Sequence, residues 1–150
     1  MFFFAQSYSD FLHYIKSQRC SGIFDKHDRR VQVMGSNQYI DVHGGWYDAS
    51  GDMSKYLSHL SYSNYLNPQQ TPIVVWNLIR SLKLLKPTNL LTLQSKRRFV
   101  DEALHGADFL LRMQSKQGYF HLTVFDQWSK TLSQRKLCAF NHKSGEQSAE

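Results

Sequence analysis

The sequence predicts a mainly α-helical protein with a short β segment. Three observations carry this expectation. Residues 72–86 are apolar on most faces of a helix, and residues 96–114 repeat apolar side chains at helical spacing. Runs rich in β-formers are confined to Val31-Gln32-Val33 and residues 119–125, and helices follow one another without any sign of strand–helix–strand units.

In chain order, Ser7 or Ser9 can cap a first helix from Asp10 to about Arg19. Phe11, Leu12, Tyr14 and Ile15 give it an apolar side and Gly22 a stop. Residues 23–40 show little helical period; Val31-Gln32-Val33 reads as a short strand and Gly35-Ser36-Asn37 as a turn. Between Met53 and Leu66, the spacing of Tyr56, Leu57, Leu60, Tyr62 and Leu66 suggests one or two irregular helical turns. Lys55 is expected to pair with a carboxylate or, as is commoner for lysine, to face water. Thr71 is a good N-cap and Pro72 a good first residue for the next helix. With Ile73, Trp76, Leu78, Ile79 and Leu82, that helix reads as an inner one needing partners on several sides, and Pro87 ends it.

The long helix, Lys96 to Gln114, carries a stripe of Val100, Leu104, Ala107 and Leu111, widened by Phe99, Ala103 and Leu110. Asp101 and Glu102 fall near its start and Arg112 and Lys116 near its end, as the helix dipole favours. Asp108, among apolar neighbours, reads as a surface or structural aspartate more readily than a substrate-side group. Gly118 ends the helix, and Tyr119 to Phe125 is expected as a short strand or hairpin arm over the site. After Trp128 the chain turns polar, and residues 141–150 read as a disordered tail.

Composition bounds the function classes. A hydrophobic content of 41% and an aromatic content of 14% argue for a packed globular protein and against disorder. The net charge of +6 is scattered, apart from Lys96-Arg97-Arg98 and Asp28-Arg29-Arg30, and builds no basic stripe interleaved with aromatics, so no nucleic-acid partner is expected. Cys20 and Cys138 fit no metal or redox spacing, and the seven histidines form no ligand cluster; neither metal nor cofactor is expected. No stretch is apolar enough to span a membrane, so no membrane partner is expected. Met1 to Ala5 is too short for a signal-peptide core, which makes the cytoplasm the expected location of the chain as given.

The chemistry concentrates in Asp41 to Asp52, Asp-Val-His-Gly-Gly-Trp-Tyr-Asp-Ala-Ser-Gly-Asp. Gly44, Gly45 and Gly51 permit left-handed backbone and close approach of a ligand. Trp46 and Tyr47 offer flat apolar faces with a polar edge, suited to a sugar ring. Asp48 and Asp52 bracket Ala49-Ser50-Gly51, so a tight turn can aim both carboxylates at one water and deprotonate it. The alternative is an ordinary loop whose aspartates bond turn amides.

Gly44-Gly45-Trp46-Tyr47-Asp48-Ala49-Ser50-Gly51-Asp52 resembles the Gly-Gly-Trp-Tyr-Asp-Ala-Gly-Asp signature of glycoside hydrolase family 9, which includes endoglucanases and exo-acting β-glucosaminidases. Asp41-Val42 upstream fits the same pattern. Downstream, Glu102 to Leu111 resembles the family's helix with a Trp-Gly-x-Asp-Tyr-Leu-Leu core, His105 standing where an aromatic is usual. The resemblance runs from about Ser9 to Phe125. One residue more separates Asp48 from Asp52 than in the family pattern, which lengthens the turn between the carboxylates.

The resemblance implies an (α/α)6 barrel, a double ring of twelve helices, of which this chain supplies about four; the chain then reads as the N-terminal part of a catalytic domain or a truncated frame, with the C-terminal part of the barrel as its missing partner. It implies hydrolysis of β-1,4 glycosidic bonds by inversion, in a glucan or a glucosamine oligosaccharide. Asp52 is the implied general base and Asp48 the residue that positions the attacking water. Trp46 and Tyr47 would line the cleft, with a packing role for Tyr47 equally open. The family's acid is a glutamate late in the domain, and neither Glu146 nor Glu150 has its context. Inversion needs base and acid roughly 6.5–9.5 Å apart on opposite faces of the sugar; without the acid, the chain alone is expected to be largely inactive. Two alternatives stand beside the hydrolase: a non-catalytic carbohydrate-binding or interaction protein left by truncation, and a calcium loop on Asp48, Ser50 and Asp52, which has too few oxygen ligands.

Overall fold

The structure, a computed structural model, describes residues 10, 12–19, 22–48, 53–57, 59–60, 66–67, 71–84, 86, 90–125, 131–138, 140–141 and 146–147. Among them are four helices and a small sheet. Helix α1 includes residue 10 and residues 12–17, and a turn at 18–19 ends it, in line with the expected first helix. Gly22, at φ 51°, leads into a helix the sequence did not suggest, α2, Ile23–His27. Five residues are too few to display a period.

Strand β1, Val31–Val33, and the following turn fall where expected; β2, Tyr39–Ile40, returns antiparallel with Val31 opposite Ile40. Among the described residues of the segment after the signature loop none is helical, and Tyr62 lies outside them. The segment forms β3, Lys55–Tyr56, and the pair β4, His59–Leu60, with β5, Leu66–Asn67. Extended backbone wins here because β3 finds a partner in β6, Thr123–Phe125, which sets Lys55 opposite Val124. β6 pairs antiparallel with β7, Lys136–Cys138, and β7 runs parallel to β1. The sheet order is therefore β2-β1-β7-β6-β3. Beyond it, β8, Phe140–Asn141, pairs with β9, Glu146–Gln147, within the stretch expected to be a tail.

Helix α3, Thr71–Leu84, opens at the predicted Thr-Pro step. Thr71 does not cap it as foreseen: its hydroxyl donates to the Tyr56 carbonyl at 2.8 Å and ties the helix start to β3. Pro87 lies outside the described residues. Helix α4, Leu90–Arg112, begins six residues earlier than expected, so Asp101 and Glu102 sit mid-helix rather than at its positive end. They serve Arg19 instead, whose Nε and terminal nitrogen lie 3.0 Å from Glu102 and 2.9 Å from Asp101.

The face α4 buries matches the expected one in part. Of that set Phe99 and Ala103 are buried and Ala107 and Leu110 pack against the core, whereas Val100, Leu104 and Leu111 are exposed; Glu102 and Phe109, and Met113 just past the helix, are buried as well. Two cores result. One joins Leu12 and Ile15 of α1, Trp46, Val75 and Leu78 of α3, and Phe99 and Ala103 of α4. The other joins the sheet, through Val31, Val124 and Leu137, to Val42, Leu57, Phe109 and Met113. The signature loop runs between them, giving Val42 to one and Trp46 to the other. The inner-helix expectation for α3 holds on one side only: Val75 and Leu78 are covered, while Trp76 is 56% exposed beside exposed Ile73 and Ile79.

Candidate active site

The loop is held by main-chain bonds at close intervals. The Val42 amide donates to the Asp28 carbonyl (2.8 Å), the Tyr47 amide to Gln18 (2.9 Å) and the Asp48 amide to Ser54 (2.8 Å). The last of these joins the two ends of the segment that carries both candidate carboxylates. His43 adds a local bond, its amide donating to Asp41 Oδ1 at 3.0 Å and its Nδ1 lying 2.6 Å from the same oxygen. Burial raises the Asp41 carboxyl, but the bonds from His43 outweigh it and hold the group below its ordinary range.

Helix α4 shapes the loop from below. Gly45 sits at φ +69°, and a Cβ there would lie 2.6 Å from the Phe109 ring, so both the left-handed backbone and the absent side chain are required. At Gly106 a Cβ would run into the Trp46 ring and come within 2.5 Å of Val75, so this glycine lets the loop and α3 close on α4 together. His105 replaces the aromatic of the resembled pattern and keeps part of its role: its ring lies 5.8 Å from that of Trp46, tilted by 60°. Its Nε2 is 2.8 Å from the Gly45 carbonyl, an acceptor, so this nitrogen carries the proton. Burial lowers the His105 pKa, which keeps the ring neutral at physiological pH.

Both aromatics expected to line a cleft are buried, and their polar edges are used inside the protein. Trp46, 9% exposed, donates from Nε1 to Glu102 Oε2 at 3.2 Å. Glu102 thus joins Arg19, in the turn that ends α1, to the loop. Tyr47, 6% exposed, donates its hydroxyl to Asp28 Oδ2 at 3.2 Å. Burial first, and then the Asp28 carboxylate, raise the phenol well above its usual range, so it stays protonated. Asp48 is half-buried; Ala49, Ser50, Gly51 and Asp52, the implied base, lie outside the described residues. The structure therefore brings Trp46, Tyr47 and the start of the Asp48 turn together over α4. A cavity of about 260 Å³ opens at the start of the loop, bordered by Arg19, Asp25, His43, Gly44, His105, Asp108 and Arg112; Trp46, Tyr47 and Asp48 do not line it. Asp108 is exposed at its edge, in keeping with a surface aspartate.

Beneath the loop lies a cluster that sequence reasoning missed. Asp28, at the end of α2, is fully buried between Lys55 (Nζ to Oδ2, 2.6 Å) and Arg135 (Nε to Oδ1, 2.6 Å). Burial would push the Asp28 carboxyl up; the Arg135 hydrogen bonds and the Lys55 charge prevail and hold it low. Of the two places open to Lys55, beside a carboxylate or in water, it takes the first, less common one, and has no exposure at all. Its position three residues after Asp52 was the only hint; Asp28 and Arg135 carry no motif.

Among the described residues, no group of three or more metal-ligating side chains comes together. No described helix is long and apolar enough to cross a membrane. Cys138 is a buried thiol in β7, raised by burial to about 12.

No curated protein is significantly similar to the chain. The family model of glycosyl hydrolase family 9, in contrast, matches residues 2–149. That span takes in the loop, the helices beneath it and the sheet that supplies its buried charges, and so the chain belongs to glycosyl hydrolase family 9.

Proposed function

We propose that this protein provides the base-bearing part of an inverting β-glycosidase acting on β-1,4-linked glucan or glucosamine oligosaccharides. The observation that carries the reading is the Asp48–Ser54 main-chain bond, 2.8 Å, in a member of this family. It closes the segment from Asp48 to Ser54 and so ties the carboxylate-bearing turn to β3. In this reading Asp52 removes a proton from a water held by Asp48, and the water attacks the anomeric carbon from the face opposite the leaving group. A carboxylic acid outside this chain, in the remainder of an (α/α)6 barrel, protonates the departing oxygen. Trp46 and Tyr47 serve this reading from below, by fixing the loop's seat. Their buried rings give less support to a sugar-binding platform without turnover.

The reading is tested by Asp52→Asn in the complete enzyme. Loss of a positioned general base lowers kcat by about 10²–10⁴-fold while the fold is retained. Hydrolysis at the wild-type rate would remove Asp52 from the mechanism.

A further inference from the structure

Asp28, Lys55 and Arg135 have no part in the chemistry above, yet their bonds converge on the loop from both sides. Lys55 Nζ donates to the Val42 carbonyl at 2.7 Å and the Gly44 carbonyl at 3.0 Å, in addition to Asp28. An ammonium has three N–H groups, and all three are used. Arg135 forks over Asp28, Nε to Oδ1 at 2.6 Å and one terminal nitrogen to Oδ2 at 3.0 Å, and its other terminal nitrogen donates to the Met53 carbonyl at 2.6 Å. Val42 and Gly44 precede the Trp46-Tyr47-Asp48 turn; Met53 directly follows Asp52. One carboxylate thus holds two cations, each gripping main-chain carbonyls on a different flank of the same loop.

Stability alone is a poor reason for this arrangement. Two cations are buried against one carboxylate, and replacing buried ionic groups by apolar ones of similar volume is often neutral or stabilising. Rigid, charge-assisted bonds do supply fixed geometry. We propose that Asp28, Lys55 and Arg135 are positioning residues for hydrolysis, a clamp that fixes the separation of the two flanks of residues 45–52 and so aims the carboxylates of the loop. This rests on the reading that the loop bears the base.

The clamp has a pH limit. Burial lowers Lys55 to about 8 against the opposing pull of Asp28. The groups facing it are Asp28 and Asp25 from α2, Arg135 ahead of β7, the protonated Tyr47 of the loop and the uncharged Phe109 ring of α4, 4.9 Å from Nζ. A neutral amine has two N–H groups, so above that pH one of the three acceptors loses its donor. Global stability moves the other way. The folded pKa lies below the ordinary lysine value of 10.5, so between the two the unfolded chain holds more protons, and the Lys55 contribution to stability rises with pH. A purely structural role would leave the loop no looser as that contribution rises.

The test measures amide hydrogen exchange and kinetics on wild type, Arg135→Lys and Lys55→Met. Arg135→Lys keeps the charge but cannot both fork over Asp28 and reach Met53. We expect protection of residues 41–57 to fall at least about tenfold with residues 99–113 unchanged, and kcat on a β-linked oligosaccharide to fall about 10–100-fold with little change in KM. Unchanged protection of 41–57, loss spread equally over 99–113, or unchanged kcat in Arg135→Lys would overturn the clamp. Should either variant fail to fold, wild type alone decides: between pH 7 and 9, protection of 41–57 corrected for intrinsic exchange falls while the unfolding midpoint does not, and flat protection refutes the proposal. If Asp52→Asn hydrolyses normally, the base assignment fails, and the exchange data still judge the clamp on its own.

Discussion

Gly45 is the residue on which the seat of the loop depends most. Its φ of +69° is costly for any residue with a Cβ, and that Cβ would fall 2.6 Å from a fully buried Phe109 ring. Gly45→Ala should therefore destabilise by about 2–4 kcal/mol, strain and overpacking together. Urea unfolding measures this, and a change within about 0.5 kcal/mol would show that the loop does not sit on Phe109. At this scale the sequence was legible in part. The glycines, aromatics and aspartates of residues 41–52 marked the loop, and Gly45 was identified as a place needing freedom. What Trp46 and Tyr47 touch was not legible, because Glu102 and Asp28 lie 56 and 19 residues away and nothing local connects them. For Lys55 a carboxylate partner and water were both readable, and the choice between them was not, because only a distant aspartate and two loop carbonyls make its burial tolerable.

Helices α3 and α4 show how element-level reading succeeds and fails. The Thr71-Pro72 start was readable because local chemistry sets it. The buried face of α4 was readable only in part, because its apolar residues cover more than one side and only packing chooses between them. Phe99, Ala103 and Phe109 face inward, and Val100, Leu104 and Leu111 are left outside. The strands β2 to β5 escaped notice because two-residue strands display no alternation. The two faces of α3 should respond differently to substitution. Leu78, 1% exposed, lies in the core with Val75 and Phe99, and Leu78→Ala should cost about 2–5 kcal/mol. Trp76→Ser should change stability by no more than about 0.5 kcal/mol, since its ring is largely exposed. Equal losses for the two, measured by chemical denaturation, would mean that α3 is rotated from this placement.

For the whole molecule, buried His121 and half-buried His27 and His105 set the response to acid. Burial lowers the pKa of His121, His105 and His27 from 6.5. Among the described residues, the Nδ1 atoms of His27 and His121 are buried without a hydrogen-bond partner. Below 6.5 the unfolded chain takes up protons that the folded chain resists, so stability is lost as pH falls through that value. Asp28 adds a second loss below 3.8, because its folded carboxyl is held low. The unfolding midpoint should thus drop between pH 7 and pH 5 and drop further below pH 4; a midpoint independent of pH over 7 to 5 would contradict the burial of these rings. The mainly helical class and the family were legible from the chain because the loop signature is local. The pairing that places Lys55 in the sheet, and the approach of Arg135 just ahead of β7, were not, since β3 meets β6 across 69 residues (Lys55 to Val124) and Arg135 reaches Met53 across 82.

The central claim is that this loop delivers water to a β-glycosidic bond from the side opposite the leaving group. Proton NMR of the first sugar released from a β-1,4-linked oligosaccharide by the complete enzyme tests it most directly, before the anomers equilibrate. Inversion predicts the α-anomer as the initial product. An initial β-anomer would require a covalent intermediate at the loop and would contradict the account.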